Sequence, residues 1–495
     1  MPATLQDILG QYGSVARRLG DAYEFRPEQL DMACAVERAL EEGHHLLAEA
    51  GTGVGKSFAY LLPAIDYAVR HKKRVVISTH TISLQEQLVD KDIPLLQAVY
   101  PDEFTAVLVK GRSNYLCRRR LELAQQRQNL LFDDGRQLES LWAIEEWSRR
   151  TTDGSLADLP AVPQPGVWDK VCAEHGNCLG KKCRFYKDCF WQSAKRRMQA
   201  GSLLVVNHAL FFSDLALRMA GVQYLPKYDV VILDEAHTVE DVAGSHFGLQ
   251  VGEGGLRYQL RHLYDPKKGR GLLSTYGSVA NDAIDDVREL HERAEAFFER
   301  CIAWQEQFGR SNGRVHEAHF VENIVSPKLR ELATHLKAVL PTLKDDEDLS
   351  ELSAQAEKVS ILAQTLDAVV AHSLEDAVYW MEVPRTTPKR VTLHAAPVNV
   401  ADGLKRELFD KLHSVVMTSA TLCTSGGTHG LKTRDTGKEP VASTRITGFQ
   451  PVPITLDPAG LHVRQGAYLP HWTRSGGVYA VTFRLADALP AHVLS

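Results

Sequence analysis

Ten residues near the start of the chain, Ala48 to Ser57 in the order AEAGTGVGKS, carry the residue types that hold a triphosphate. Gly51, Gly53 and Gly55 let the backbone curl so that successive N–H groups face one anion. A helix starting there adds the partial positive charge of its N-terminus. Lys56 would reach the β- and γ-phosphates and the Ser57 hydroxyl would hold Mg²⁺, with Ala50, Thr52 and Val54 completing the loop. Position 50 is Ala where the strict pattern has Gly, and a small residue is all that position needs. A second stretch, VVILDEAH at 230–237, runs four apolar residues into Asp234 and Glu235. Asp234 would stand at the C-terminal end of a buried strand, where ligands bind in open α/β sheets. It can hold Mg²⁺ through water, and Glu235 can orient and deprotonate the attacking water. ATP and Mg²⁺ are the expected ligands.

The cysteines suggest a second chemistry. Cys178, Cys183 and Cys189 stand in NCLGKKCRFYKDCF, and Cys117 closes KGRSNYLC. Zinc sites favour two close pairs. One distant cysteine plus three at wider spacing suits a cuboidal iron–sulfur cluster, in which each iron takes its own thiolate. Structural zinc stays open as an alternative, and Cys172 could replace Cys178 on spacing alone. Arg118, Arg119, Arg120, Lys181, Lys182, Arg184, Lys187, Lys195, Arg196 and Arg197 lie near these cysteines, interleaved with Phe185, Tyr186, Phe190 and Trp191. The cations can pair with the phosphates of single-stranded DNA. The aromatic rings either stack on bases or, the blander alternative, pack around the cluster.

The elements that position these groups can be read from periodicity. Apolar runs HHLLAEA, KRVVISTH, FTAVLVK, SLLVVNH, YDVVILDEAH and HSVVMTSAT read as buried strands, and helical patterns follow the early ones. That alternation predicts an α/β fold, a parallel sheet covered by helices. Two insertions interrupt it. The second contains Ile284, Val287, Leu290, Ala294, Phe297 and Cys301 at steps of three and four, one face of a helix. RSNGRVHE and KDDEDLS read as loops between helices.

Length and composition bound the rest. The 495 residues suffice for roughly three domains. A net charge of −5 with 44% hydrophobic residues excludes a globally basic nucleic-acid binder, so any DNA contact needs a local patch. The N-terminus lacks a basic start followed by an apolar run, and no stretch approaches a membrane span, so a cytoplasmic protein without a membrane partner is expected. The same compartment argues against disulfides among the eight cysteines.

Asp-Glu-Ala-His together with the late Ser-Ala-Thr resembles superfamily-two helicases. KGRSNYLC, NCLGKKCRFYKDCF, VVNHALFF and LDEAH, in that order, are similar to the bacterial DinG/YoaA branch of the XPD-like iron–sulfur DNA helicases. The resemblance covers residues 15 to 423. It implies a RecA-like sheet, an ATP-dependent DNA helicase acting on single-stranded or forked DNA, and a 4Fe-4S cluster on Cys117, Cys178, Cys183 and Cys189. It implies that His237 and Ser419, Ala420 and Thr421 couple hydrolysis to movement. It also sets Gln29, in YEFRPEQLDM, on the adenine edge. The implied domains are a first motor domain at 1–104, 201–240 and 388–423, an iron–sulfur insertion at 105–200 and a helical arch at 241–387. Residues 424–495 read as a linker and a foreign or disordered tail whose LPHWTRSGGVYAVTFRLAD resembles the opening of REP-associated tyrosine transposases. No second motor domain is legible there, so impaired motor activity is expected. A non-motor DNA-binding iron–sulfur module, or an inactive product of gene disruption, is the alternative.

Overall fold

A computed structural model describes residues 4–51, 53–132, 134–219, 221–309, 312–384 and 390–420, together with strand segments 462–465 and 470–473. The chain divides into two compact units. The first takes in residues up to 109, 198–243 and, among the described residues, 400–420. Its centre is a six-stranded sheet: β1 (Leu46–Glu49), β2 (Val75–Thr79), β3 (Ala106–Leu108), β4 (Leu203–Asn207), β5 (Val230–Asp234) and, from the far end of the chain, the strand Ser414–Ser419. Every pairing is parallel, and spatially the Ser414–Ser419 strand lies between β1 and β5, followed by β2, β4 and β3. Val75, Val76, Ile77, Val230, Val231, Ile232 and Leu233 are all fully buried. Helices cover both faces of such a sheet, which is why these strands are apolar throughout rather than alternating. Among the helices, Pro27–Glu42 and Lys56–His71 pack through Met32, Val36 and Leu40 against Tyr60, Leu61 and Ile65.

The second unit holds residues 110–197 and 244–399. Both insertions expected from the sequence therefore share one compact body. A three-stranded antiparallel sheet joins β6 (Leu249–Gly252), β7 (Ala377–Glu382) and β8 (Thr392–Pro397), with β8 in the middle. The helices Glu253–Leu263, Asn281–Gln307, Ser326–Val339 and Asp346–Val370 supply most of the core. The helical face expected around residues 284 to 301 is present: Val287, Leu290, Ala294, Phe297 and Cys301 are buried and Ile284 packs against them.

Three expectations differ from what is found. The strand at 106–108 pairs in the parallel sheet, so the first insertion starts after it rather than at 105. Residues 392–397 pair with β6 and β7 in the second unit, so the stretch 388–399 is not part of the motor sheet. KDDEDLS is no loop; it opens the 25-residue helix Asp346–Val370. Asp345 caps that helix by accepting from the Glu347 N–H, and its first turn carries Asp346, Glu347 and Asp348. Carboxylates are favourable there because they face the positive end of the helix dipole. The expected linker and tail, from 424 on, fall almost wholly outside the described residues. Among those described, no helix is long and apolar enough to cross a membrane.

Truncating Phe297, fully buried in the second unit, to Ala should cost about 3–5 kcal/mol in urea denaturation. Ile361→Ala, on the exposed face of the Asp346–Val370 helix, should change stability by no more than about 0.5 kcal/mol.

Candidate nucleotide site and cysteine centre

The phosphate loop leaves β1 and enters the Lys56–His71 helix. Gly53 (φ +90°) and Gly55 (φ +83°) take left-handed backbone, which costs glycine little. At Gly55 there is also no room: a Cβ would meet Gln29 Nε2 at 2.1 Å. Gln29 is buried and donates to the Gly55 carbonyl at 3.0 Å, so the residue assigned to the adenine edge braces the loop in this structure. Arg26 also donates to the loop, at the Gly53 carbonyl. Lys56 Nζ rests on the Ala50 carbonyl at 3.3 Å, and the Ala50 N–H donates to Ser419 O at 3.0 Å. Val54 packs against the core of this unit. Thr52 lies outside the described residues.

Asp234, at the end of β5, is buried and accepts from the Tyr60 hydroxyl at 3.0 Å and from the Glu235 N–H at 3.0 Å. Burial, with Glu235 adding to it, pushes its carboxyl up to about 6, against the Tyr60 bond and Lys56. The Ser57 hydroxyl lies near both Tyr60 and Asp92, favouring the ionised form of each, with Asp92 inside a π-turn at Leu88–Asp92. Glu235 adopts φ 52°, ψ 48°, a left-handed conformation that costs a non-glycine residue roughly 1–3 kcal/mol. It turns the chain sharply, so that the carboxyl groups of Asp234 and Glu235 serve different neighbours. His237 Nδ1 meets Ser419 Oγ at 2.8 Å and lies 3.4 Å from Glu235 Oε2. The structure thus brings Lys56, Asp234, Glu235, His237 and Ser419 to one edge of the sheet. Ala420 follows, half-buried, and Thr421 lies outside the described residues.

Three site residues escaped sequence reading: Tyr60, Asp92 and His208. His208 begins the helix after β4, is fully buried, and shares a 2.7 Å bond with Ser78 Oγ on β2. Burial pushes its imidazole down to about 4, with His80 and His237 adding to the effect and the backbone at Asp234 and Glu235 opposing it. In the sequence, Asn207 and His208 close the apolar run SLLVVNH. Two polar residues at the C-terminal end of a buried strand were the available signal.

In the second unit, Cys117 immediately precedes the helix Arg118–Gln126, without a side-chain capping bond. Burial raises its thiol and Cys183 adds to that, while Arg119 and Arg120 favour the thiolate. Cys189 is likewise raised by burial, with Cys117 and Cys178 contributing. Cys117 is thus within electrostatic reach of Cys183, and Cys189 of Cys117 and Cys178. Cys172 is elsewhere: it is buried against Arg120, whose guanidinium donates to the Cys172 carbonyl at 2.6 Å, and its charged neighbours are Arg120, Asp169 and Lys358. A lone tetrahedral zinc would draw the sulfurs to about 3.8 Å of one another. Among the described residues no three cysteine sulfurs lie within 4.8 Å.

The basic patch needs correction. Arg119 and Arg120 are 1% and 4% exposed and do not face solvent. Arg119 bonds to Asn177, and Arg120 lies 3.5 Å from Glu174 and 3.8 Å from Glu351. Phe190 and Trp191 are buried, under the guanidiniums of Arg118 and Arg112. Arg184 pairs with Glu122 and Glu347. Lys181, Lys182, Lys187, Lys195, Arg196 and Arg197 remain exposed.

The DEAD/DEAH box helicase family matches residues 31–141. YoaA of Escherichia coli, described as an ATP-dependent DNA helicase, is 31% identical over 87% of this chain and 65% of its own length. The chain is a homologue of the YoaA and DinG helicases. DinG of Mycobacterium tuberculosis, described as an ATP-dependent helicase, is 35% identical over 52% of this chain and 42% of its own length. The chain spans less than two thirds of the length of these relatives. A solved XPD helicase overlaps 81% of the chain and 59% of its own, at 12% identity and a TM-score of 0.43.

In this DinG homologue, Gly55→Ala combines a left-handed φ with a collision against Gln29. Nucleotide retention should be lost, with thermal stability lowered by roughly 1–3 kcal/mol. Adding Gln29→Ala removes the collision but not the φ, so the double variant should regain only part of the lost stability in thermal melts.

Proposed function

We propose that this chain is the nucleotide-binding motor region of an ATP-dependent DNA helicase of DinG type. The observation that carries the proposal is the single sheet edge at which the phosphate loop, Asp234 with Glu235, and Ser419 bonded to His237 all meet. The loop's N–H groups and Lys56 hold the triphosphate. Ser57 and Asp234 would be the oxygen donors for Mg²⁺, which would supply positive charge against the triphosphate. Tyr60 keeps Asp234 oriented toward that place. Glu235, held in its left-handed turn, orients the attacking water and takes its proton. As charge leaves the γ-phosphate, the His237–Ser419 bond carries the change to the strand Ser414–Ser419 and onward to DNA-contacting segments.

The substrate in this reading is single-stranded or forked DNA, met by the exposed cations between Lys181 and Arg197. Cys117, Cys178, Cys183 and Cys189 would hold a 4Fe-4S cluster whose service is structural, tying two distant stretches of chain together. The setting is the cytoplasm.

The purified chain should hydrolyse ATP faster when single-stranded DNA is added. Lys56→Ala should abolish turnover. His237→Ala should retain ATP in equilibrium binding while losing about tenfold of the DNA stimulation, roughly one coupling bond. Equal stimulation in wild type and His237→Ala would refute the coupling role. In anaerobic preparations, Cys178→Ser should lose the brown iron–sulfur absorbance and Cys172→Ser should keep it.

A further inference from the structure

Lys170 lies on the wall between two cavities of the second unit, of about 880 Å³ and 450 Å³, which also share Tyr258 and His262. Its ammonium touches His262, itself half-buried, and no ion pair engages it among the described residues. Burial, reinforced by Arg120, brings its amine down to about 8, and Lys358 across the smaller cavity is lowered to about 8 for the same reasons. Asp169 and Glu351 oppose that shift at Lys170 without pairing with it, whereas Lys358 is bonded to Glu174; a half-buried ammonium held by no direct ion pair is one that an arriving anion can stabilise.

The larger cavity is lined by Arg257, Arg261, Lys267, Lys268, Arg270 and Arg288 besides Lys170, against Asp265, Glu292 and Glu295. Several of these cations are engaged: Arg257 with Glu253, Lys268 with Asp265, Arg288 with Asp285, and Arg270 with the Asn129 carbonyl. Arg261 and Lys267 are exposed and in no ion pair among the described residues. Such an excess of positive charge stands out in a chain of net charge −5. A volume of this size takes a ligand larger than a lone inorganic ion. Tyr258, its hydroxyl tied to Asp169 at 2.9 Å, leaves its ring 40% exposed at the rim, a face on which a base can stack.

We propose that the cavities meeting at Lys170 form a binding site for phosphate groups, separate from the phosphate loop. The backbone of a single nucleic-acid strand and a free phosphate compound share that chemistry. Only the choice of strand as the source rests on the proposed helicase function.

The test uses the full chain carrying Lys56→Ala, which removes the phosphate loop from the readout. Binding of an oligothymidylate of about a dozen nucleotides is followed by anisotropy, and of pyrophosphate by calorimetry. Lys170→Met should weaken oligothymidylate binding about tenfold, with Lys170→Arg near the parent. The slope of log affinity against log salt should fall by about 0.7 for each phosphate that the variant no longer neutralises. Arg261→Glu, at an exposed position, should act in the same direction and carries the test if Lys170→Met does not fold. Loss confined to pyrophosphate supports the site with a free phosphate compound as its ligand. If both variants bind both ligands within about twofold of the parent, the proposal is overturned, whatever the ATPase assays show.

Discussion

The parallel pairing of the Ser414–Ser419 strand between β1 and β5 is the constraint on which the candidate nucleotide site depends. Parallel neighbours end on the same side, so the phosphate loop, Ser419 and Asp234 emerge at one edge although about 370 residues separate the first from the second. Register does the fine positioning. Asp234 sits opposite Thr418, and Glu49 opposite Ser419, so His237 is one bond from Ser419 and Ala50 one bond from its carbonyl. A slip of one residue would turn each of these side chains to the other face of the sheet.

The same edge concentrates groups that the fold holds at a cost. Asp234 is buried with its carboxyl raised, Glu235 is left-handed, and His208 is buried and held neutral. Each opposes stability alone, and all three border the place where a triphosphate and its cation would supply compensating charge. Tyr60 holds Asp234 and Ser78 holds His208 by hydrogen bonds, while Gln29 braces the phosphate loop at Gly55, fixing orientation in the way that outer hydrogen-bonding partners do around metal sites.

The second unit uses buried charge differently. Arg119, two residues after Cys117, bonds to Asn177, one residue before Cys178, and Asn177 in turn donates to Glu351 on the helix Asp346–Val370. Arg120 ties the Cys172 carbonyl to Glu174 and Glu351. Removing one partner would leave a charge buried and unpaired, which is far more destabilising than the pair is stabilising. These arginines therefore fix the cysteine-bearing segments and the long helix to one another.

The sequence alone determined what depends on local pattern. The glycine spacing before Lys56, the uniformly apolar strands, the acidic pair ending β5 and the helical face from Val287 to Cys301 all followed from residue type and period. Tertiary structure decided what depends on partners distant in the chain. Arg119 and Arg120 read as surface cations until Asn177, Glu174 and Glu351 close over them. Spacing says nothing of the surroundings of Cys172, and only the fold shows that it is buried beside Arg120. Residues 392–397 have the composition of any buried strand, and only pairing with β6 and β7 assigns them to the second unit. The division has one physical origin. Backbone propensity and amphipathic period act over a few residues, whereas burial of charge, strand order and hydrogen-bond partners are properties of the assembled fold.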